Sequence, residues 1–127
     1  MKLLVDTHAF LWFMAGDARL SRTARRAIED EDGRWCLSAA SVWELSIKSS
    51  LKRVALPVPA VEYIAEKVQA GLQVLSVEWV HAATVERLPF HHRDPFDRLL
   101  VAQAQIERLA VVTGDAVFRR YAVRVVW

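Results

Sequence analysis

The sequence predicts an α/β domain of three layers, α/β/α, with a mostly parallel central sheet of four or five short strands. Three observations carry that expectation. Short continuous apolar runs recur along the chain, and a strand that is apolar without alternation is one buried on both faces. Each run passes through a polar turn into a segment with helical spacing, the grammar of a sheet covered by helices on both sides. A length of 127 residues with 54% hydrophobic and 25% charged content suits one domain over 1–127 with a sizeable core.

The elements follow in order. Lys2-Leu3-Leu4-Val5 reads as the first strand and runs into Asp6-Thr7. His8 to Ala15 is apolar nearly all round, which predicts a largely buried helix stopped at Gly16-Asp17. Ser21 is an N-cap for an amphipathic helix from Arg22 to Glu31, with Ala24, Ala27 and Ile28 on one side and Gly33 closing it. Trp35-Cys36-Leu37 is a second strand, and Ser38 or Ser41 caps a helix to about Leu51 that carries Val42, Leu45 and Ile47 inward. Pro57 and Pro59 break the chain before a helix from Ala60 to Ala70, ended by Gly71. Leu72 to Val77 gives a third strand, Glu78 to Leu88 a helix, and Pro89 to Arg93 a polar loop. Asp94-Pro95-Phe96-Asp97 has a cap, a proline at N1 and an acid at N3, so a helix begins there. Ala110 to Thr113 is a fourth strand, followed by Gly114-Asp115, a short helix to Tyr121 and a last strand over Val123 to Trp127.

Charge and cysteine content exclude little but direct the search. Lys and Arg total 17 against 15 Asp and Glu, a net charge of +2, too small a bias to name a polyanion partner. The single cysteine, Cys36, has no intramolecular partner, no run of about 18 apolar residues suggests a membrane span, and the apolar N-terminus is interrupted by Asp6 and His8. A reducing cytoplasm is the expected location. His8, His81, His91 and His92 lack the spacing of a zinc site.

In open α/β sheets the usable crevice lies beyond the carboxyl ends of the strands. Asp6 follows the first strand there and Asp115 the fourth, while Glu44 and Asp97 sit near the starts of the helices that face the same edge. Clustered carboxylates repel one another, and either protonation or a divalent cation relieves them. Oxygen ligands alone favour Mg²⁺ or Mn²⁺, and Mg²⁺ takes one or two carboxylates together with substrate phosphate oxygens. That combination is the chemistry of a nuclease.

The stretches LLVDTHAFLW, SAASVWELSIKSSLKR, HHRDPFDRLLVAQA and VVTGDAVFRRY, in this order over nearly the whole chain, resemble the PIN-domain family, specifically its VapC-type toxins. The resemblance implies a PIN-like fold and a Mg²⁺-dependent endoribonuclease in which Mn²⁺ can substitute. It implies Asp6, Glu44, Asp97 and Asp115 as the catalytic and metal-binding carboxylates, with Thr7 and Thr113 in support. A homodimer and inhibition by a cognate VapB-type antitoxin are implied as well. His91, His92, Arg93 and Arg98 are candidate contacts to the RNA substrate, and Arg19, Arg22, Arg25, Arg26, Lys48, Lys52 and Arg53 could add phosphate contacts that position without reading sequence.

Each residue also has a structural reading. Asp97 at N3 favours the helix dipole with no catalysis, Asp115 can simply cap the following helix, and Glu44 can be an exposed acid paired with Lys48. Asp6 after a buried strand is costly without a partner, which favours a site. Trp12 and Trp43 fall on apolar helical faces and suit the core or a dimer interface. Two other functions use a related sheet. A catalytically silent PIN-fold module would bind RNA or protein without turnover. A Mg²⁺-dependent phospho-acceptor or phosphatase domain would want Asp-x-Asp after the first strand, where this chain has Asp6-Thr7-His8.

Overall fold

The computed structural model describes residues 2–30 and 34–127. Five strands form one sheet: β1 (Leu3–Val5), β2 (Trp35–Ser38), β3 (Gln73–Leu75), β4 (Ala110–Val112) and β5 (Val125–Val126), in the order β3-β2-β1-β4-β5. Every pairing is parallel. Leu4 aligns with Cys36 on one side and Val111 on the other, and Val5 with Leu37 and Val112. The three central strands therefore end level, which brings Asp6, Ser38 and Thr113 to one edge. The Asp6 N–H donates to the Val112 carbonyl at 3.0 Å and closes that edge.

Alternation through the pleat divides the core in two. Leu3, Val5, Leu37, Ala110 and Val112 face a cluster with Ala9, Phe10, Ala24, Ile28, Leu45, Tyr63 and Ile64, contributed by α1 (Thr7–Ala15), α2 (Arg22–Asp30), α3 (Ala39–Ser50) and α4 (Ala60–Gln69). Leu4, Cys36 and Val111 face the opposite way, onto Leu88, Leu100, Val101, Ala104 and Phe118. This second layer is built from α5 (Trp79–Thr84), α6 (Pro95–Glu107) and two 3₁₀ turns, Val85–Arg87 and Ala116–Arg120. The three layers expected from the strand–helix grammar are present. Fully buried side chains such as Phe10, Leu37 and Val111 each contribute about 1.5–3 kcal/mol of transfer free energy.

Three helices start at caps read from the sequence, with Ser38 and not Ser41 serving α3. Ser38 accepts from the Ala40 N–H at 3.0 Å and Ser21 from the Ala24 N–H at 3.0 Å. Asp94 accepts from the Asp97 N–H at 2.9 Å, with Pro95 at the first helical position. Gly16 ends α1 with φ +63°, the left-handed conformation glycine adopts at least cost. Glu31 and Gly33, expected to end the second helix, lie outside the described residues.

Four expectations are corrected. The helix α1 is not largely buried: Ala9 and Phe10 are, but Leu11 to Met14 are half-buried and His8 is exposed. The expected helix over Glu78 to Leu88 is a short α-helix that tightens into a 3₁₀ turn. In α3, Leu45 reaches the core, whereas Ile47 packs beside Trp43, Phe96 and Leu99 on the outer side. Trp43 is 61% exposed and meets Phe96 edge-on at 5.3 Å, so it is no core residue. Among the described residues no helix is long and apolar enough to cross a membrane.

Candidate active site

The site begins where β1 runs out. Asp6 caps α1, accepting from the Ala9 N–H through Oδ1 at 2.8 Å, and is only 7% exposed. A carboxylate in that position loses most of its hydration, and burial accordingly pushes its pKa up. The Thr113 side chain and the Ala9 N–H favour the charged form, as does the charge of nearby His8, while Glu44 adds repulsion.

Glu44 comes from the second turn of α3 and is held in place by two neighbours. Thr7 Oγ1 donates to its Oε1 at 2.6 Å, and Lys48 Nζ lies 3.2 Å from its Oε2. The i,i+4 pair with Lys48 exists as expected, yet Glu44 is buried at 8% exposure and not a solvated surface acid. Thr7 is buried too, so one hydroxyl joins the start of α1 to α3.

Asp97 enters from the first turn of α6. Burial raises its pKa to about 7, the charges of Asp94 and Asp6 push the same way, and a hydrogen bond from His92 opposes them. His92 Nε2 is 3.2 Å from Asp97 Oδ2. A carboxyl poised near neutrality by burial and like charge marks a functional site more often than a structural one.

Asp115 stands apart in burial. It is exposed, accepts from the Val117 N–H at 3.0 Å as a cap, and donates its own N–H to Thr113 Oγ1 at 3.1 Å. It nevertheless lines the same cleft as Asp6, an opening of about 410 Å³ walled by His8, Trp12, Arg19, Gly114 and Trp127. A methyl group at Gly114 would lie 2.7 Å from the Trp127 ring, so glycine lets that ring form the wall.

Thus Asp6 feels both Glu44 and Asp97, and it shares a cleft with Asp115. Asp6 is thus the common neighbour of three acids far apart in sequence, at the carboxyl edge where β1, β2 and β4 lie side by side. Among the described residues no three acidic, histidine or cysteine side chains stand close enough together to hold a metal ion by themselves. The donor set still suits a hard cation: it is oxygen only, two of its acids, Asp6 and Asp97, resist ionising alone, and Mg²⁺ keeps most of its waters and needs only one or two carboxylates.

Two candidate RNA contacts are turned inward instead. Arg98 is 4% exposed, and its guanidinium donates to the carbonyls of Pro89 at 2.8 Å, Val85 at 3.2 Å and Leu88 at 3.2 Å, as well as to the Tyr121 hydroxyl at 3.2 Å. It fastens the 85–89 segment to α6 and is withdrawn from the solvent-facing set. His92 has both ring nitrogens engaged within the protein, on Tyr121 and Asp97. Arg93 is exposed and His91 half-buried against the Tyr121 ring at 4.8 Å. Sequence reasoning overlooked Tyr121, which lies 29 residues from His92 with no local signal joining them.

Comparison with known proteins extends the picture. A family profile described as PIN domain matches residues 3–124. The chain is 30% identical over 120 residues to Ribonuclease VapC22 of Mycobacterium tuberculosis, covering 94% of this chain and 91% of that protein. Its fold is similar to that in a crystal structure of DNA-bound VapBC from Salmonella typhimurium, with a TM-score of 0.70 at 19% identity over 98% of this chain and 96% of that one. It is similar as well to VapBC2 from Rickettsia felis bound to a promoter DNA fragment, with a TM-score of 0.72 at 12% identity over 98% and 97%.

Proposed function

Because the chain belongs to the PIN-domain family, we propose that it is a metal-dependent endoribonuclease, the toxin of a VapBC-type toxin–antitoxin pair, with Asp6, Glu44, Asp97 and Asp115 as its catalytic carboxylates. The observation that carries the reading is that Asp6 lies within electrostatic reach of both Glu44 and Asp97 and shares its cleft with Asp115. Asp6 and Asp97 are the carboxylates that would hold Mg²⁺, or Mn²⁺ in its place, with Glu44 and Asp115 beside them. When bound, such a cation offsets negative charge on a scissile phosphodiester and makes water a better nucleophile.

The chain's own residues have separate tasks. Thr7 holds Glu44 at 2.6 Å and so fixes one carboxylate relative to the end of β1. Thr113 ties the loop after β4 to the same corner through the Asp115 N–H at 3.1 Å. Of the loop residues before α6 and its first turn, exposed Arg93 and half-buried His91 stay candidates to bind RNA phosphate, a sequence-independent attraction. Attack by water with the 3′ oxygen leaving gives a 5′-phosphate and a 3′-hydroxyl. A cognate VapB-type antitoxin is supported by the likeness to proteins named as VapBC complexes; a homodimeric toxin in the cytoplasm is proposed with it, from the family resemblance alone.

The test is cleavage of end-labelled RNAs by protein freed of any inhibitor, in Mg²⁺ or Mn²⁺, with EDTA and Asp97→Asn purified identically as controls. Discrete cuts that require both metal and Asp97 are expected. Cleavage undiminished in Asp97→Asn overturns the assignment.

A further inference from the structure

Four side chains form a single hydrogen-bonded line into the acidic corner. Arg98 Nη1 lies 3.2 Å from the Tyr121 hydroxyl, that hydroxyl 2.8 Å from His92 Nδ1, and His92 Nε2 3.2 Å from Asp97 Oδ2. Donor chemistry sets the direction of this line. An ionised Asp97 only accepts, so His92 Nε2 carries a proton pointed at Oδ2; in the neutral imidazole Nδ1 then accepts from the Tyr121 hydroxyl, whose oxygen accepts from Arg98. The origin of the line is rigid: Arg98 is 4% exposed and also bound to three main-chain carbonyls. The imidazole packs near the rings of Phe118, at 6.4 Å, and Tyr121, at 5.5 Å.

We propose that His92 is a positioning residue for Asp97, held in its Nε2–H form by the Arg98–Tyr121 pair so that it fixes the Asp97 carboxylate through Oδ2. The proposal rests on the reading of Asp97 as a metal-binding carboxylate. The interaction leaves Oδ1 of Asp97 as the oxygen to face a ligand. An Asp side chain on a first helical turn has rotational freedom, and a fixed donor removes it before any cation arrives. Outer partners that orient a ligating carboxylate are typically worth about 10–100-fold in metal affinity.

Two measurements on the full chain test this. The first is the tautomer of His92, read at pH 8 from ¹⁵N shifts and long-range couplings of histidine-labelled, metal-free protein, with the signal identified by its loss in His92→Gln. The expected result is one form protonated at Nε2, becoming a mixture in Tyr121→Phe, which keeps the ring but loses the hydroxyl. A ring carrying its proton on Nδ1 in the unaltered protein overturns the proposal whether or not metal binds.

The second is Mn²⁺ affinity without RNA, read by electron paramagnetic resonance. His92→Phe keeps the aromatic seat and loses the donor, and about 10–100-fold weaker binding is expected, with His92→Gln recovering most of it because its amide N–H can reach the same oxygen. His92→Phe binding Mn²⁺ as tightly as the parent, while Asp97→Asn binds it weakly, overturns the positioning role alone. Binding unchanged in Asp97→Asn overturns the metal-site reading, and this proposal with it.

Discussion

Replacing Asp97 with Asn should stabilise the metal-free protein at alkaline pH. The substitution is nearly isosteric. It keeps the backbone N–H that Asp94 caps at 2.9 Å and an oxygen for His92, so it removes a charge and little else. An Asp carboxyl ordinarily ionises near 3.8, whereas burial, with repulsion from Asp94 and Asp6, defers this one to about 7. Between those values the folded chain keeps a proton that the unfolded chain has released. Stability therefore falls as pH rises from about 4 to about 7, and the penalty is complete above that.

A deferral of that size corresponds to a ceiling of about 4 kcal/mol. The side chain is 23% exposed and lies at a helix N-terminus, where negative charge is favoured. Solvent screening and the dipole together leave a net gain of about 1–2 kcal/mol for the variant. In a domain of this size that raises the melting temperature by about 4–8 °C at pH 8. Below pH 4 the difference should shrink towards zero. Thermal or urea unfolding in EDTA across that range measures it, and millimolar Mg²⁺ should then stabilise the parent more than the variant. A variant no more stable than the parent at pH 8, or one with the same advantage at pH 4, would refute the clustering of these acids.

Other expectations follow from single contacts. Thr7→Val deletes the 2.6 Å bond to buried Glu44 and should cost about 1–3 kcal/mol in unfolding free energy, together with most of the RNA cleavage; unchanged activity would remove Thr7 from the site. Arg98→Met strands the Pro89, Val85 and Leu88 carbonyls and should destabilise the fold by about 2–4 kcal/mol, a loss visible in urea titration. Preserved stability with weaker RNA binding would return Arg98 to the solvent-facing set. Ser38→Ala removes both the cap of α3 and a 2.6 Å bond to Gln103, at about 1–3 kcal/mol by the same titration. Arg93→Ala should weaken RNA binding for all sequences alike and lower its salt dependence by about one phosphate contact, while leaving unfolding unchanged.

Much of this architecture is legible in the sequence because its strands are buried on both faces and its turns are punctuated. Leu3 to Val5 and Ala110 to Val112 read as strands without ambiguity, and Ser21, Ser38 and Asp94 cap helices as their chemistry dictates. The edge location of Asp6 and Asp115 follows from the strand ends. What periodicity could not resolve is which apolar side of α3 meets the sheet, since Trp43 and Ile47 form a second stripe beside Leu45. Nor does a formal charge reveal an inward-turned guanidinium: Arg98 is satisfied by carbonyls of an irregular segment, 85–89, whose course no local pattern encodes. The line from Tyr121 to His92 has the same origin, for it depends on how the 3₁₀ turn Ala116–Arg120 packs against the loop before α6.

The central claim is that this acidic corner hydrolyses RNA with water as the nucleophile. The most direct measurement is the chemistry of the ends produced by metal-dependent cleavage, read by mass spectrometry on a defined RNA cut in H₂¹⁸O. The account predicts a 3′-hydroxyl and a 5′-phosphate carrying one ¹⁸O from solvent, and no such product from Asp6→Asn. A 2′,3′-cyclic phosphate with a 5′-hydroxyl would show that the RNA's own 2′-hydroxyl attacks, and would contradict it.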